Sequence, residues 1–453
     1  MIRSGVAGAF SLPDDKYVPQ HIIENLYRKL LHRGAPIFIY PQHDKISTEF
    51  REPTEQIMIQ FALCPSEGSV LSTSDSIIIM DGFLFNQNPK FLPESIPKNL
   101  DGHFVICKYL KQKHRLEIYR DSIGPKPLFY TFWKNTFIFA SERKALPAIN
   151  QAKRLPPGHR IILEHSDVSI EEYFYSNRPP SIHEPISDIS KLTKILGKLL
   201  RESIEFLAEK TTAIMFSGGL DSSLITWITK DIVDVEIFSV GLPDSKDIKW
   251  TRHAADMLGL NLNLKIIQPD DLDDYLQKTI YALEENDPLK AVIGLPIYAA
   301  CEFIKDNGMR VAFAGQGADE IFGGYAKYLN LEPNMINDAL YHDVKNLYHT
   351  NLERDDMIAM ANSIDLRLPY LYPKLVRFAF SIPATLKIFH GERKYILRKA
   401  ALELGLPRDI ALRSKKAIQY STGVKKHVEK IAKKKGYTLS KYVKHIFNRI
   451  YGS

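Results

Sequence analysis

The sequence predicts two domains of different class: a β-rich α+β domain over residues 1–165 and a doubly wound α/β domain over 191–425. Three observations carry this division. Up to residue 165, short β-branched and aromatic runs are broken by turn chemistry, the pattern of stacked or paired sheets. From about residue 191 the apolar period becomes 3.6, and strand-like runs then alternate with helical ones, as in a parallel sheet covered by helices. Finally, the glycine-rich run FSGGLDSS (Phe216–Ser223) sits between strand-like TTAIM and helical SLITWIT.

The elements follow in order. SIIIMDGFLF, HFVICKYL, RLEIYR, PLFYTFW, TFIFASE and RIILE read as strands, separated by turns such as Asn-Gln-Asn-Pro and Gly-Pro-Lys-Pro. Residues 166–190, with PPSIHEP and few periodic apolar positions, read as a linker. ISKLTKILGKLLRESIEFLAEK is an amphipathic helix. VEIFSVG and MRVAFAG then read as strands, TRHAADMLG and LPIYAACEFIKD as helices.

Bulk properties narrow the class. At 453 residues the chain exceeds one ordinary core, and 45% hydrophobic with 25% charged residues is a soluble globular balance. No apolar run approaches the roughly 20 residues needed to span a bilayer, so no membrane role is expected. The N-terminus lacks a secretory pattern. Cys64, Cys107 and Cys301 form neither a CxxC nor an even framework, which points to a reducing cytoplasm and against structural zinc. From Val424 to Ser453 eight Lys and one Arg face a single Glu, so the whole net charge of +7 resides there. Residues 426–453 thus read as a basic helical tail, broken near Gly436. It is either a solvated helix face or a contact for a polyanion such as tRNA.

Strand, glycine turn and helix start together direct backbone N–H groups and a helix dipole at an anion. In that pocket Phe216, Gly218, Gly219 and Leu220 supply backbone, Ser217, Ser222 and Ser223 supply hydroxyls, and Asp221 can hold Mg²⁺. No Lys follows the glycines as GxxxxGK[ST] requires, which excludes a Walker A loop. SGG-x-DS resembles the pyrophosphate loop of ATP pyrophosphatases, which split ATP between the α and β phosphates.

Further motifs extend this likeness: VGLPDSKD (Val240–Asp247), AGQGADEIFGGY (Ala314–Tyr325), SIDLRLP, ERKYILRKAA and LRSKKAIQYSTG. In the N-terminal half come SGVAGAF, HRGAP, DGFLFN, LDGHFVICKY, RDSIGPKPLFY and LPPGHRI. In this order the set resembles the glutamine-hydrolysing asparagine synthetases over residues 1–425. The resemblance implies an Ntn-hydrolase, class II glutamine amidotransferase-like αββα domain followed by an ATP-pyrophosphatase (PP-loop, HUP-like) domain. It implies ATP and Mg²⁺ as cofactors, with Asp221 and Asp319 as metal ligands. Val240, Ala314, Gly315 and Lys394 join the ATP and pyrophosphate site, with Arg398 as a further cation of the same cage. Lys415 matches the family's loop lysine, with Lys416 as the alternative because one residue is inserted there. A loop lysine stabilising charge at the α-phosphorus is worth about 3–4 kcal/mol of transition-state stabilisation. Aspartate or a similar carboxylate, ammonia or another amine, and a homodimer are the implied partners.

Two departures from the family pattern decide the expectation. At the glutaminase nucleophile the sequence has Ser4 where the family has an N-terminal Cys, Gln60 for a glutamine-binding Arg, and Asp81 for an oxyanion Asn; only Gly82 and Asp101 match. A carboxylate at an oxyanion position repels the charge it should stabilise, so this half is expected to be inactive. In the synthetase half, Gln316 replaces a Glu between the two glycines, and Gln cannot take a proton. Asp365 replaces another Glu and keeps its charge. The expected activity is therefore AMP-forming ligation with ammonia as nitrogen source, with Lys415, Gln316 and Asp365 as catalytic residues. The alternatives are the same adenylation with a peptide, sugar or tRNA amine as acceptor, or a non-catalytic scaffold.

Overall fold

The computed structural model describes residues 4–11, 18, 20–34, 37–40, 45–47, 59–63, 70–88, 96–165, 167–174, 188–243, 245–413 and 423–452. The chain forms two compact units: residues 1–176 with 348–365, and residues 177–347 with 366–453. The segment 348–365, assigned from sequence to the synthetase domain, thus packs within the first unit. The basic tail, set apart from sequence, packs within the second.

The first unit is built on two antiparallel sheets. One has seven strands in the spatial order 153–154, 129–133, 136–140, 6–11, 59–63, 37–40 and 45–47. The other has six, in the order 167–172, 159–164, 115–120, 102–110, 76–84 and 70–72. All six strands read from the sequence are present. Alternation sets the layers: Val105, Cys107 and Tyr109 face the core between the sheets, while Phe104 and Ile106 face the other side. On the outer face of the seven-stranded sheet lies the helix Gln20–Leu30, whose Ile22, Leu26 and Leu30 share one stripe, joined there by Met357. Ile96, Leu100 and Phe174, outside any helix, cover the other outer face. Asp167–Glu172, inside the expected linker, is an edge strand. Its mostly exposed, acidic DVSIEE leaves no buried face for a period to reveal.

In the second unit, strands Leu262–Ile266, Asp234–Gly241, Thr211–Met215 and Val311–Phe313 lie side by side in parallel, with Asp365–Arg367 at the edge. In chain order the four parallel strands run 3-2-1-4, the doubly wound arrangement in which ligands sit at the strands' carboxyl ends. Capping fixes the helices. Asp188 accepts from the Lys191 N–H ahead of Ile189–Leu207, and Asp287 caps Pro288–Asp306 through Leu289 and Lys290. The tail forms helices Val424–Lys434 and Leu439–Tyr451, broken at Gly436, whose φ of 81° suits glycine.

One buried group here titrates in an unusual range. Lys387 is fully buried, lies 5.0 Å from the Phe380 ring centroid, and has no hydrogen-bond partner among the described residues. Burial pulls its pKa from 10.5 down to about 7. Between these values the folded state binds fewer protons than the unfolded chain, so stability rises with pH across that window. Lys387→Met should therefore raise the melting temperature at pH 7, with the gain shrinking as pH approaches 10. A gain that does not change with pH in thermal melts would show that the amine does not titrate there.

Candidate active site

The glycine loop follows the central strand Thr211–Met215, and its geometry follows from its small residues. Gly218 has φ 67°, and a Cβ there would lie 3.1 Å from both Ala254 and Trp250. Gly219 begins the helix Leu220–Thr229. The Ser217 and Ser222 hydroxyls lie 3.0 Å apart, and Ser222 Oγ accepts from the Ser217 N–H. Ser223 departs from expectation. Its hydroxyl is wholly buried and has no hydrogen-bond partner among the described residues, because position 223 faces the core side of the helix. The loop's hydroxyl donors are thus Ser217 and Ser222. Phe216 is buried and its N–H is bonded to Phe238, while Leu220 is buried and Val240 half-buried.

The second glycine motif packs against the first. A Cβ on Gly315 would meet the Asp221 Cβ at 3.0 Å, so Ala314–Gly315 lies directly on the start of the loop helix. Gln316 is half-buried beside Gly317, whose φ is 93°. Lys394 then closes the cluster. Its Nζ donates to Asp221 Oδ1 and Oδ2 at 2.7 and 2.8 Å and lies 2.7 Å from Asp319 Oδ1. Gly324 makes room for this, since a Cβ there would sit 1.8 Å from Asp319 Oδ1 and 2.4 Å from Lys394 Cε. The two carboxylates expected to hold a metal are therefore brought together, and a lysine ammonium bridges them. Two oxygen-donor side chains converging on one point suit a hard cation that takes its remaining ligands from phosphate and water.

Arg398 has a different place from the one expected. It is buried, and its donors go to the carbonyls of Arg393, Ala411 and Arg413 at 2.9, 2.6 and 3.1 Å. Rather than lending charge to a phosphate cage, it ties the Lys394 turn to the chain just before residue 414. Arg413 in turn lies 4.1 Å from the Trp250 ring centroid, and the Trp250 indole donates to the Gly218 carbonyl at 2.8 Å. Lys415 and Lys416 lie outside the described residues.

In the first unit, Ser4 is buried within a charged network. Its hydroxyl donates to Asp81 Oδ1 at 2.9 Å and accepts from Lys126 Nζ at 2.9 Å. Lys126 also donates to Asp365 Oδ1 at 3.0 Å and lies 3.6 Å from Asp356 Oδ1. Arg33 bonds Asp356 at 2.9 Å, Glu142 at 2.6 Å and the Ser4 carbonyl at 3.3 Å. Burial opposes the charge on Lys126, yet Asp365, Asp356 and Asp81 hold its pKa above the ordinary lysine value. It stays an ammonium and cannot deprotonate Ser4. Burial raises the Asp81 carboxyl pKa against the pull of Lys126 and Arg33.

Asp365, expected as a catalytic residue of the synthetase half, has its carboxylate engaged by Lys126 in the first unit. Gly82 (φ 109°) is obligatory, because a Cβ would lie 1.9 Å from the His103 carbonyl oxygen. The buried Asp101 takes the Asn86 side-chain oxygen on its N–H at 2.9 Å. Gln60 pairs with Ala9 in the seven-stranded sheet, and its side chain lies outside the described residues. Sequence reasoning missed Lys126, Arg33, Asp356 and the bridging place of Lys394. Lys126 and Arg33 sat inside the quoted RDSIGPKPLFY and HRGAP, but nothing local marked them as buried.

Two family models match this chain. One, described as asparagine synthase, covers residues 196–335 and 331–450, and the other, a glutamine amidotransferase domain, covers 72–194. A Methanocaldococcus jannaschii protein described as a glutamine-hydrolysing asparagine synthetase is 33% identical, over 75% of this chain and 73% of its own length. A Schizosaccharomyces pombe protein of the same description is 31% identical, over 72% and 64%. Escherichia coli asparagine synthetase B, also described as glutamine-hydrolysing, is 28% identical, over 75% and 63%. The chain thus spans about two thirds of the length of the latter two.

Proposed function

Because the chain belongs to the asparagine synthetase family, we propose that it is an ATP-dependent, AMP-forming amide ligase that activates aspartate and uses ammonia from solution. The observation that carries the ligase half is the Asp221–Lys394–Asp319 cluster at the mouth of the glycine loop. A carboxylate has no leaving group at neutral pH. Attack of its oxygen on the α-phosphorus of ATP expels pyrophosphate and gives an acyl adenylate. Attack by the amine on the acyl carbon then expels AMP and leaves the amide. The loop's N–H groups and the Ser217 and Ser222 hydroxyls would hold the departing pyrophosphate. Asp221 and Asp319 would hold Mg²⁺, which when bound neutralises charge on that leaving group. Lys394, released from the carboxylates, would turn to phosphate oxygen, and Lys415 would serve the α-phosphorus.

Ammonia from solution is favoured by the Ser4 network. Lys126 donates to the Ser4 hydroxyl, that hydroxyl donates to the Asp81 carboxylate, and Ser4 is buried, so among the described residues this network presents a carboxylate that would repel a developing oxyanion, which disfavours glutamine hydrolysis. A second reading, with an amine other than ammonia as acceptor, rests on Gln316, whose amide cannot accept the proton that ammonia must lose.

Mass spectrometry after incubation with ATP, Mg²⁺ and aspartate tests both. Asparagine, AMP and pyrophosphate should form with ammonia and not with glutamine, and Ser4→Ala should change neither result. Asparagine made from glutamine and lost in Ser4→Ala would overturn the ammonia reading. Pyrophosphate release only on adding another amine would favour the second.

A further inference from the structure

We propose that the exposed face of helices Val424–Lys434 and Leu439–Tyr451 is a binding surface for single-stranded RNA, separate from the ligase chemistry. The helices are docked, not loose. Val424, Val428 and Ala432 on the first, and Tyr442, Val443 and Ile446 on the second, are buried against helices Leu272–Leu283 and Pro288–Asp306. That docking aims the opposite faces outward. Lys426, Lys430, Lys433 and Lys434 fall within about 100° of one helix face along roughly 12 Å. Lys441 and Lys444 do the same on the second helix. All six are exposed, and none has a carboxylate partner among the described residues.

Two nearby acids are paired with other lysines. Glu429 lies 4.0 Å from Lys425, and Asp273 accepts from Lys435 at 2.7 Å and from the Tyr442 hydroxyl. The fold therefore holds a row of ammonium groups with no carboxylate partner among the described residues, which suits a phosphate backbone.

A second feature selects among polyanions. Tyr442, Tyr437 and His445 form a stack, with ring centroids 5.8 and 5.1 Å apart and interplanar angles of 28° and 24°. His445 is its exposed member and lies next to Lys444. An aromatic stack ending at the surface among cations offers a platform for an unpaired base, which a duplex keeps stacked inside. A membrane surface fits less well. Neither helix has a large exposed apolar side chain to insert, because the apolar faces are already buried.

Fluorescence anisotropy of a labelled oligo(U) RNA of about twenty nucleotides with the full chain tests this. Binding should weaken roughly 100- to 300-fold from about 50 to 200 mM salt, a log–log slope on the order of −4 for six phosphate contacts. K426E/K430E/K433E/K434E and, separately, K441E/K444E should each lose tenfold or more while keeping the native melting temperature. His445→Ala should lose about tenfold. RNA binding unchanged in either charge-reversed variant would overturn the proposal. So would binding to phosphatidylserine vesicles without binding to RNA, or an unaltered affinity in His445→Ala.

Discussion

Replacing Lys394 with alanine is expected to cost about 3–5 kcal/mol of stability and to abolish pyrophosphate release, although the residue is not a nucleophile, an acid or a base in the reaction. The Lys394, Asp221 and Asp319 side chains are 4%, 12% and 16% exposed, so this ion pair is poorly screened by water. Removing the ammonium leaves two largely buried carboxylates facing one another. Each then repels the charge on the other, a cost carried only while both are ionised and given back on acidification. The melting temperature should thus fall by roughly 6–20 °C at pH 7, at 2–4 °C per kcal/mol for a unit of this size, and the gap should narrow toward about pH 5. Millimolar Mg²⁺ should restore part of the loss in the variant and change the native chain little. A variant that Mg²⁺ does not rescue would remove Asp221 and Asp319 as ligands while leaving the electrostatic argument intact.

The other large effect belongs to Lys126. Lys126→Met leaves Asp81, Asp356 and Asp365 buried without the ammonium they share, while Arg33 still pairs with Asp356, and about 3–5 kcal/mol should be lost. Asp81 is the member to relieve. Its Oδ2 is buried with no hydrogen-bond partner among the described residues, and burial raises its pKa. Asp81→Asn should therefore be neutral or stabilising at pH 7, a benefit that disappears on acidification, because only the ionised form carries the cost. In the double variant, Asp81→Asn should gain more stability than it does in the native chain and so recover part of the Lys126→Met loss, a non-additivity that thermal melts on the four chains measure directly. Strict additivity would mean that the Ser4 bridge transmits nothing between the two charges.

The sequence was most informative where chemistry is local. A glycine at positive φ before a helix, an Asp ahead of a proline-led helix, and alternating runs such as HFVICKYL each state their structure within a few residues, so the sheets and the glycine loop were legible. The buried ion pairs were not. Arg33 and Asp356 are 323 positions apart, and lysine, arginine and aspartate taken one at a time are surface residues. The resemblance makes Asp365 a catalytic residue of the synthetase half, yet its carboxylate meets Lys126. Lys394 and Arg398, four residues apart, read as two cations of one phosphate cage. They separate because Lys394 adopts a left-handed backbone (φ 59°) and turns to the carboxylates, while Arg398, inside the following helix, turns to carbonyls.

Residues 348–365 also bear on how the protein is made. On the ribosome the chain emerges from its N-terminus, and the first unit lacks its last piece until about 190 residues beyond its main body have been synthesised. At roughly 5–20 residues per second that is a delay of about 10–40 s. During it Arg33 and Lys126 lack Asp356 and Asp365, the carboxylates that later hold them. The N-terminal half is therefore expected to become protease-resistant only after residue 365 has left the exit tunnel. Nascent chains stalled at residue 200 or 340 should still be cut within it, whereas chains stalled some 40 residues past 365 should not.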